Sequence, residues 1–306
     1  MKRRIGLVDL CTSHPENWVP ILRELGFEVT ACWDSGETRP PGFAREFAQR
    51  FQIPRAVEDP REMLEQIDIA IIHSTNWDKH VPLARPFVEA GIPVLIDKPT
   101  VGNLRDANQL LAWAKEGRRI TGGSNLRFAG EVRAYLAEPA AERGTPHTVF
   151  AGCGVDDFNY GIHAYALAAG LLGPGLRSVR YLGASAQKHI QLTWRDGRRA
   201  FLSIGKLAAW LPFYFTVVTE KAVRQVVIDA GKLYRSFLQT VMPYLAGAVA
   251  EPPVPLEALL EPELAALAAR VSWQHGGIEV FLTDLRLDDP GYDGLQFAEE
   301  YRRARL

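Results

Sequence analysis

No run in these 306 residues approaches the roughly 18 uninterrupted apolar positions that a membrane-spanning helix requires. An excess of one charge is missing too: 35 Lys and Arg stand against 36 Asp and Glu, a formal net charge of −1. Without a basic stripe, neither nucleic acid nor an anionic membrane surface is an expected partner. Cysteine is scarce. Cys11, Cys32 and Cys153 are an odd number without Cys-x-x-Cys spacing. That excludes a disulfide framework and a zinc-ribbon pattern, and suggests reduced thiols in a cytoplasmic protein. The basic start Met1-Lys2-Arg3-Arg4 reaches Asp9 after only Ile5-Gly6-Leu7-Val8, too short for the apolar stretch of a secretion signal. The closing Tyr301-Arg302-Arg303-Ala304-Arg305 reads as a solvated helix end.

What is present is ordinary globular composition, 47% hydrophobic and 23% charged, which excludes wholesale disorder. Over the first 125 residues short apolar runs alternate with helical patterns. Strands are expected at 5–8, 28–33, 67–73, 93–96 and 119–122, and helices at 18–25, 43–51, 81–90 and 104–115. Strands apolar on both faces and separated by helices predict a parallel, doubly wound sheet. Ligands in such sheets sit at the carboxyl ends of strands. Those ends are Asp9, Asp34, Ser74-Thr75-Asn76 and Asp97-Lys98-Pro99.

The second half changes character. Residues 190–194 and 200–204 flank Asp196-Gly197, a strong hairpin signal, and further strand-like runs lie at 147–151, 177–182, 213–218 and 223–228. Helices are expected at 163–172, 233–245 and 256–273. The predicted fold is α/β: a Rossmann-like doubly wound domain over 1–124, then an α+β domain over 125–306 with a mostly antiparallel open sheet.

One further absence bears on chemistry. A dinucleotide-binding first turn carries Gly-x-Gly-x-x-Gly, because side chains there block the pyrophosphate. After the first strand this chain has Asp9-Leu10-Cys11-Thr12-Ser13-His14, with none of the three glycines. Thr12 and Ser13 can cap the following helix or donate hydroxyls to a phosphate. An ordinary strand-to-helix turn is the plainer reading of the loop taken alone. Asp34 stands where an acidic residue holds the adenosine ribose diol, and its carboxylate would repel a 2′-phosphate, favouring NAD over NADP. It reads equally well as a helix-entry aspartate. Lys98 closes a buried strand ahead of a proline, a place from which a cation can bind a hydroxyl oxygen and ease its proton away. A surface lysine paired with Asp97 is the alternative. A cis Lys98–Pro99 bond is allowed there.

Val94-Leu95-Ile96-Asp97-Lys98-Pro99 resembles the Glu-Lys-Pro strand end of the Gfo/Idh/MocA oxidoreductase family. The run Ile67 to Asn76 with His80, the helix opening Gly161-Ile162-His163, and Ala268 to Ser272 with Gly276 to Val280 are similar to that family's other landmarks, in order. The resemblance implies Lys98 and His163 as catalytic residues facing one ligand. It puts Asn159 where the family has a supporting Asp, with Asp156 or Asp157 as substitutes in the same loop. It implies cofactor contacts from Thr12, Ser13, Asp34, Ser74, Asn76, His80 and Asp97, and substrate contacts from Arg127, Asp156 and Tyr160. The implied activity is an NAD-dependent oxidoreductase acting on a sugar, cyclitol or related polyol, assembled as a homodimer or homotetramer. The rival is a non-redox descendant, a binding protein or acid–base enzyme with no dinucleotide, which the glycine-free loop and Asn159 favour. No metal site is expected from the histidine spacings.

Overall fold

The computed structural model describes residues 2–304; Met1 and Arg305, which belong to the two basic runs noted above, and Leu306 lie outside the described residues. In chain order the elements are β1 (Arg4–Val8), α1 (His14–Glu24), β2 (Glu28–Trp33), α2 (Phe43–Phe51), β3 (Arg55–Ala56), β4 (Ile69–Ile72), α3 (His80–Glu89), β5 (Val94–Ile96), α4 (Leu104–Lys115), β6 (Ile120–Gly122), α5 (Gly130–Ala137), α6 (Ala140–Arg143) and β7 (Pro146–Cys153). There follow α7 (Ile162–Leu172), β8 (Leu176–Ala184), β9 (Lys188–Trp194), β10 (Arg199–Ile204), β11 (Tyr214–Thr219), β12 (Val223–Val227), α8 (Leu233–Leu245), α9 (Leu256–Gln274), β13 (Glu279–Phe281) and α10 (Gly294–Arg303).

Two compact units emerge. The first takes the chain up to Gly123, then Leu238–Leu256, then the stretch from Asp293 onward; the second takes Ser124–Phe237 and Glu257–Tyr292. The chain passes from the first unit to the second between Gly123 and Ser124 and returns to the first unit twice. A single division of the sequence does not describe that return.

The first unit holds a six-stranded sheet ordered β3-β2-β1-β4-β5-β6, parallel throughout. β1 and β4 are fully buried on both faces apart from Arg4, which is why they read as continuous apolar runs rather than alternating ones. Trp18, Val19 and Leu22 of α1, Ala84, Phe87 and Val88 of α3, and Leu110 and Trp113 of α4 are the helices' buried positions. Order reverses between β1 and β4, and the crevice past their carboxyl ends is where such sheets place ligands. Gly122 ends β6 at φ +153°, where an added Cβ would stand 1.8 Å from the Ile96 carbonyl oxygen. Only glycine fits there.

The second unit holds a seven-stranded sheet ordered β12-β11-β7-β10-β9-β8-β13. Every pair is antiparallel except β7 with β10. The Asp196-Gly197 hairpin joins β9 to β10, with Thr193 opposite Arg199 and Gly197 at φ +89°. α7 is buried almost all round and packs on β7 and β10. The fold class is α/β, as the alternation of runs predicts. All three cysteines are buried and outside any disulfide. Among the described residues, no helix is long and apolar enough to cross a membrane.

Candidate functional site

Strand ends of the first unit gather most of the polar residues singled out in the sequence. The loop leaving β1 is the most informative. Asp9 stands in the first-glycine position with φ +72°, a left-handed conformation that a residue with a Cβ seldom adopts. Asp9, Leu10 and Cys11 are wholly buried. The Asp9 carboxylate accepts the Ser35 amide at 3.2 Å and the Ser35 hydroxyl at 3.0 Å, and its Oδ1 also accepts the Leu10 amide at 3.1 Å. Asp34 Oδ1 accepts the same Leu10 amide at 3.2 Å, while its Oδ2 accepts the Gly36 amide at 3.1 Å. Burial first, and the Asp9 charge second, push the Asp34 carboxyl up to about 6.

The segment following Asp34 then lies across this loop. The Thr38 hydroxyl donates to the Cys11 carbonyl at 3.2 Å. Arg39 donates to the carbonyls of Leu10 (3.0 Å) and Thr12 (2.9 Å) and pairs with Glu16 at 3.2 Å. Glu37 reaches the loop after β4, accepting from Asn76 Nδ2 at 3.1 Å and pairing with Lys79 at 3.1 Å. A pyrophosphate seated on the first turn needs open amides and glycine-sized side chains. Here the turn is buried, its Leu10 amide is engaged, a carboxylate occupies the first-glycine position, and residues 35–39 cover it. The residues present do not fit a dinucleotide in that pose.

The other cofactor candidates are likewise engaged within the unit. Thr12 Oγ1 accepts the His14 amide at 3.1 Å, and the Ser13 carbonyl accepts from Asn17 Nδ2 at 2.7 Å. Ser74 Oγ accepts the Asn76 amide at 3.2 Å, and Asn76 Oδ1 in turn caps the short turn Trp77–Lys79 through the Asp78 amide. His80 is fully buried, with Nδ1 3.1 Å from the Thr100 carbonyl and Nε2 2.9 Å from the Ser74 carbonyl. Asp97 is buried at the end of β5, where Oδ1 accepts the Lys98 amide at 2.8 Å. Its Oδ2 meets two imidazoles: His14 Nδ1 at 2.5 Å and His73 Nδ1 at 3.1 Å. Burial works against ionisation of Asp97, but the charge and hydrogen bonds of His14 and His73 outweigh it and hold the carboxyl well below the usual range. Burial pushes the His73 imidazole down, against the pull of Asp97. Lys98 follows, half-buried, and its bond to Pro99 is cis.

In the second unit His163 occupies the first turn of α7, nearly buried. Its Nδ1 lies 2.7 Å from the Ser124 hydroxyl, and its ring is met edge-on by Tyr160 at 5.7 Å and Phe213 at 5.1 Å. Ser124 was not a sequence candidate; a serine 39 residues upstream leaves no local signal. Asp156 serves its own loop, accepting the amides of Phe158 (2.9 Å) and Tyr160 (2.8 Å). Asp157 pairs with Lys188, whose ammonium lies over the Trp273 ring. Asn159 is half-buried in the same loop. Arg127 is buried and donates to the Ala258 carbonyl at 2.8 Å; burial, only partly offset by Glu261 and Glu263, pulls its guanidinium down to about 10. That is the environment of a structural arginine.

Comparison with known proteins places this geometry in a lineage. Residues 5–122 match the model of the oxidoreductase family with an NAD-binding Rossmann fold, GFO_IDH_MocA. YceM of Salmonella typhimurium, a protein named for oxidoreductase activity, is 28% identical over 149 residues, 47% of each chain. The chain thus matches about half the length of that curated relative. Among solved structures, myo-inositol dehydrogenase from Lactobacillus casei, in complex with NAD(H) and myo-inositol, superposes with a TM-score of 0.76 at 16% identity, over 92% of this chain and 97% of that one. UDP-N-acetylglucosamine 3-dehydrogenase from Acidithiobacillus ferrooxidans gives a TM-score of 0.73 at 17% identity, over 89% and 98%. These similarities at low identity carry the fold. Residues 5–122 thus carry the NAD-binding Rossmann domain of the Gfo/Idh/MocA oxidoreductase family, and the solved structures share the fold of the chain as a whole.

Proposed function

We propose that this protein acts on a small polyhydroxylated ligand, a sugar, cyclitol or related polyol, by acid–base chemistry and without a dinucleotide on its first turn. Lys98 binds and polarises the reacting oxygen from the end of β5. His163 serves as proton relay, its Nδ1 steadied by the Ser124 hydroxyl so that Nε2 exchanges the proton. Asn159, an amide where the resemblance implies a carboxylate, orients without carrying charge. The observation behind the reading is the seating of residues 35–39 over a buried, glycine-free turn.

A second reading keeps the redox chemistry of the relatives: an NAD-dependent dehydrogenase or reductase on the same substrate class. The family description and the NAD(H) complex of the inositol dehydrogenase favour it. Asp34 would then prefer NAD over NADP. Titration with NADH, NADPH, NAD and NADP, followed by nicotinamide and tryptophan fluorescence, separates the two. No binding at millimolar concentration is expected, and micromolar binding of any one would return the protein to the dehydrogenases. On the positive side, solvent-deuterium exchange at carbons beside the carbonyl of a panel of sugars and keto-cyclitols should fall by about 10²–10⁴-fold in Lys98→Met and in His163→Gln.

A further inference from the structure

Three polar side chains from separate elements of the first unit share one point, and the acid–base reading above uses none of them. His14 opens α1 in the third-glycine position of the missing fingerprint, His73 follows β4, and Asp97 follows β5. One donor atom from each lies within 4.8 Å of the other two. We propose that His14, His73 and Asp97 hold a divalent first-row transition-metal ion, Zn²⁺ or Fe²⁺, at the reversal point of the parallel sheet.

Geometry carries the case. A metal bound at about 2.0–2.2 Å by nitrogen and oxygen spaces its tetrahedral ligands about 3.3–3.6 Å apart. The contacts to Asp97 Oδ2, 2.5 and 3.1 Å, are hydrogen-bond lengths and fall short of that spacing, so loading an ion requires the donor atoms to part. Two imidazoles and a carboxylate are the donor set that mid-row divalent ions take. Both imidazole Nδ1 atoms approach the same oxygen, Asp97 Oδ2, so the three donor atoms converge on one point. Second-shell support is present on the carboxylate, whose other oxygen accepts the Lys98 amide. Access comes from one side, because the His14 side chain is 12% exposed while Asp97 is 4% and His73 is 0%. That leaves a coordination position for a water or a substrate oxygen on the His14 side.

A neighbouring group, Asp9, Cys11 and Asp34, is a poorer ligand set. Burial pushes the Cys11 thiol up to about 12, and both carboxylates are committed to Ser35, Leu10 and Gly36.

The test needs no substrate, so it stands apart from the acid–base reading. Metal-free protein is titrated with Zn²⁺, and with Co²⁺ for its visible ligand-field spectrum, with metal content read after dialysis. About one equivalent per chain is expected, with a rise in melting temperature on loading. His14→Ala and Asp97→Asn should weaken binding by about 10–100-fold or more and abolish the thermal shift. His275→Ala, which removes an exposed histidine, should leave both unchanged. If Asp97→Asn does not fold, the partly exposed His14→Ala carries the test. No stoichiometric binding, or binding undiminished in His14→Ala, would overturn the proposal and leave a hydrogen-bonded triad.

Discussion

Asp9 tolerates its left-handed backbone because aspartate is among the few side chains that can, and because its carboxylate is tied to Leu10 and Ser35. The consequence is a second carboxylate, Asp34, in the same neighbourhood, with its proton held up to about pH 6 in the folded chain against 3.8 in its ordinary state. Between those values the folded chain binds a proton that the unfolded chain has released. Stability from this group is therefore complete below the lower value and lost as pH rises through the upper one. Asp34→Asn cannot titrate. Relative to the native chain, its stability should rise by about 1–2 kcal/mol between about pH 4 and pH 7, on top of a constant offset for the altered Gly36 bond. Chemical denaturation at both ends of that interval measures it, and a flat difference would show that the Asp34 proton is not held above its ordinary range. At this scale the missing glycines were legible in the sequence. What fills their place was not, because Ser35, Thr38 and Arg39 lie 24 or more residues downstream and side-chain hydrogen bonding leaves no periodic trace.

Strands and helices were far more legible than their contacts. Continuous apolar runs gave β1, β4 and β5, and Asp-Gly between alternating strands gave the β9–β10 hairpin, because both signals are local. β3 was invisible: two residues, Arg55 and Ala56, have no room for a pattern. α1 begins at His14 rather than near Trp18, with Pro15 in its first turn, a position where the missing amide costs nothing. Among connecting segments, the one at 35–39 matters most, and it behaves as a brace rather than a loop. Arg39 is its keystone, joining the Leu10 and Thr12 carbonyls and Glu16, with its guanidinium 4.3 Å from the Phe43 ring centre. Arg39→Ala should lower unfolding stability by about 1–3 kcal/mol, since two partly buried carbonyls lose charged donors. Arg39→Lys should recover only part of that, because an ammonium cannot span the same acceptors. Urea midpoints decide the matter. If the alanine variant unfolds where the native chain does, the segment is not holding the turn, and the argument against a dinucleotide weakens with it.

Each of the two units has its own sheet and its own buried interior, and Leu238–Leu256 and the stretch from Asp293 belong with the first unit. Periodicity tells which face of a helix is apolar, not which interior that face will meet; for α10 the meeting is made by Phe297 on Trp77 and by the Gly294 amide on Asp78. The second unit's sheet leaves one face without cover from α7. Phe150 on β7 stacks on Phe201 of β10 at 5.5 Å and is still 43% exposed. Val223 and Val227 of β12 are 62% and 65% exposed. By strand alternation and register, Phe150, Phe201 and Thr216 stand side by side on this face, with Gln191 beyond. Isolated apolar residues need no explanation on a surface, but stacked phenylalanines at a sheet's centre do. The expected cover is the same face of a second copy, since a two-fold contact pairs a patch with itself. Burying about 800 Å² per partner is enough for a stable pair. Sedimentation velocity at micromolar concentration should show a dimer or tetramer for the native chain. Phe150→Lys should shift it to monomer without lowering its melting temperature below that of the separated native chain, because the substituted side chain points to solvent. A native chain that sediments as a monomer would mean that the exposed phenylalanine face has another occupant.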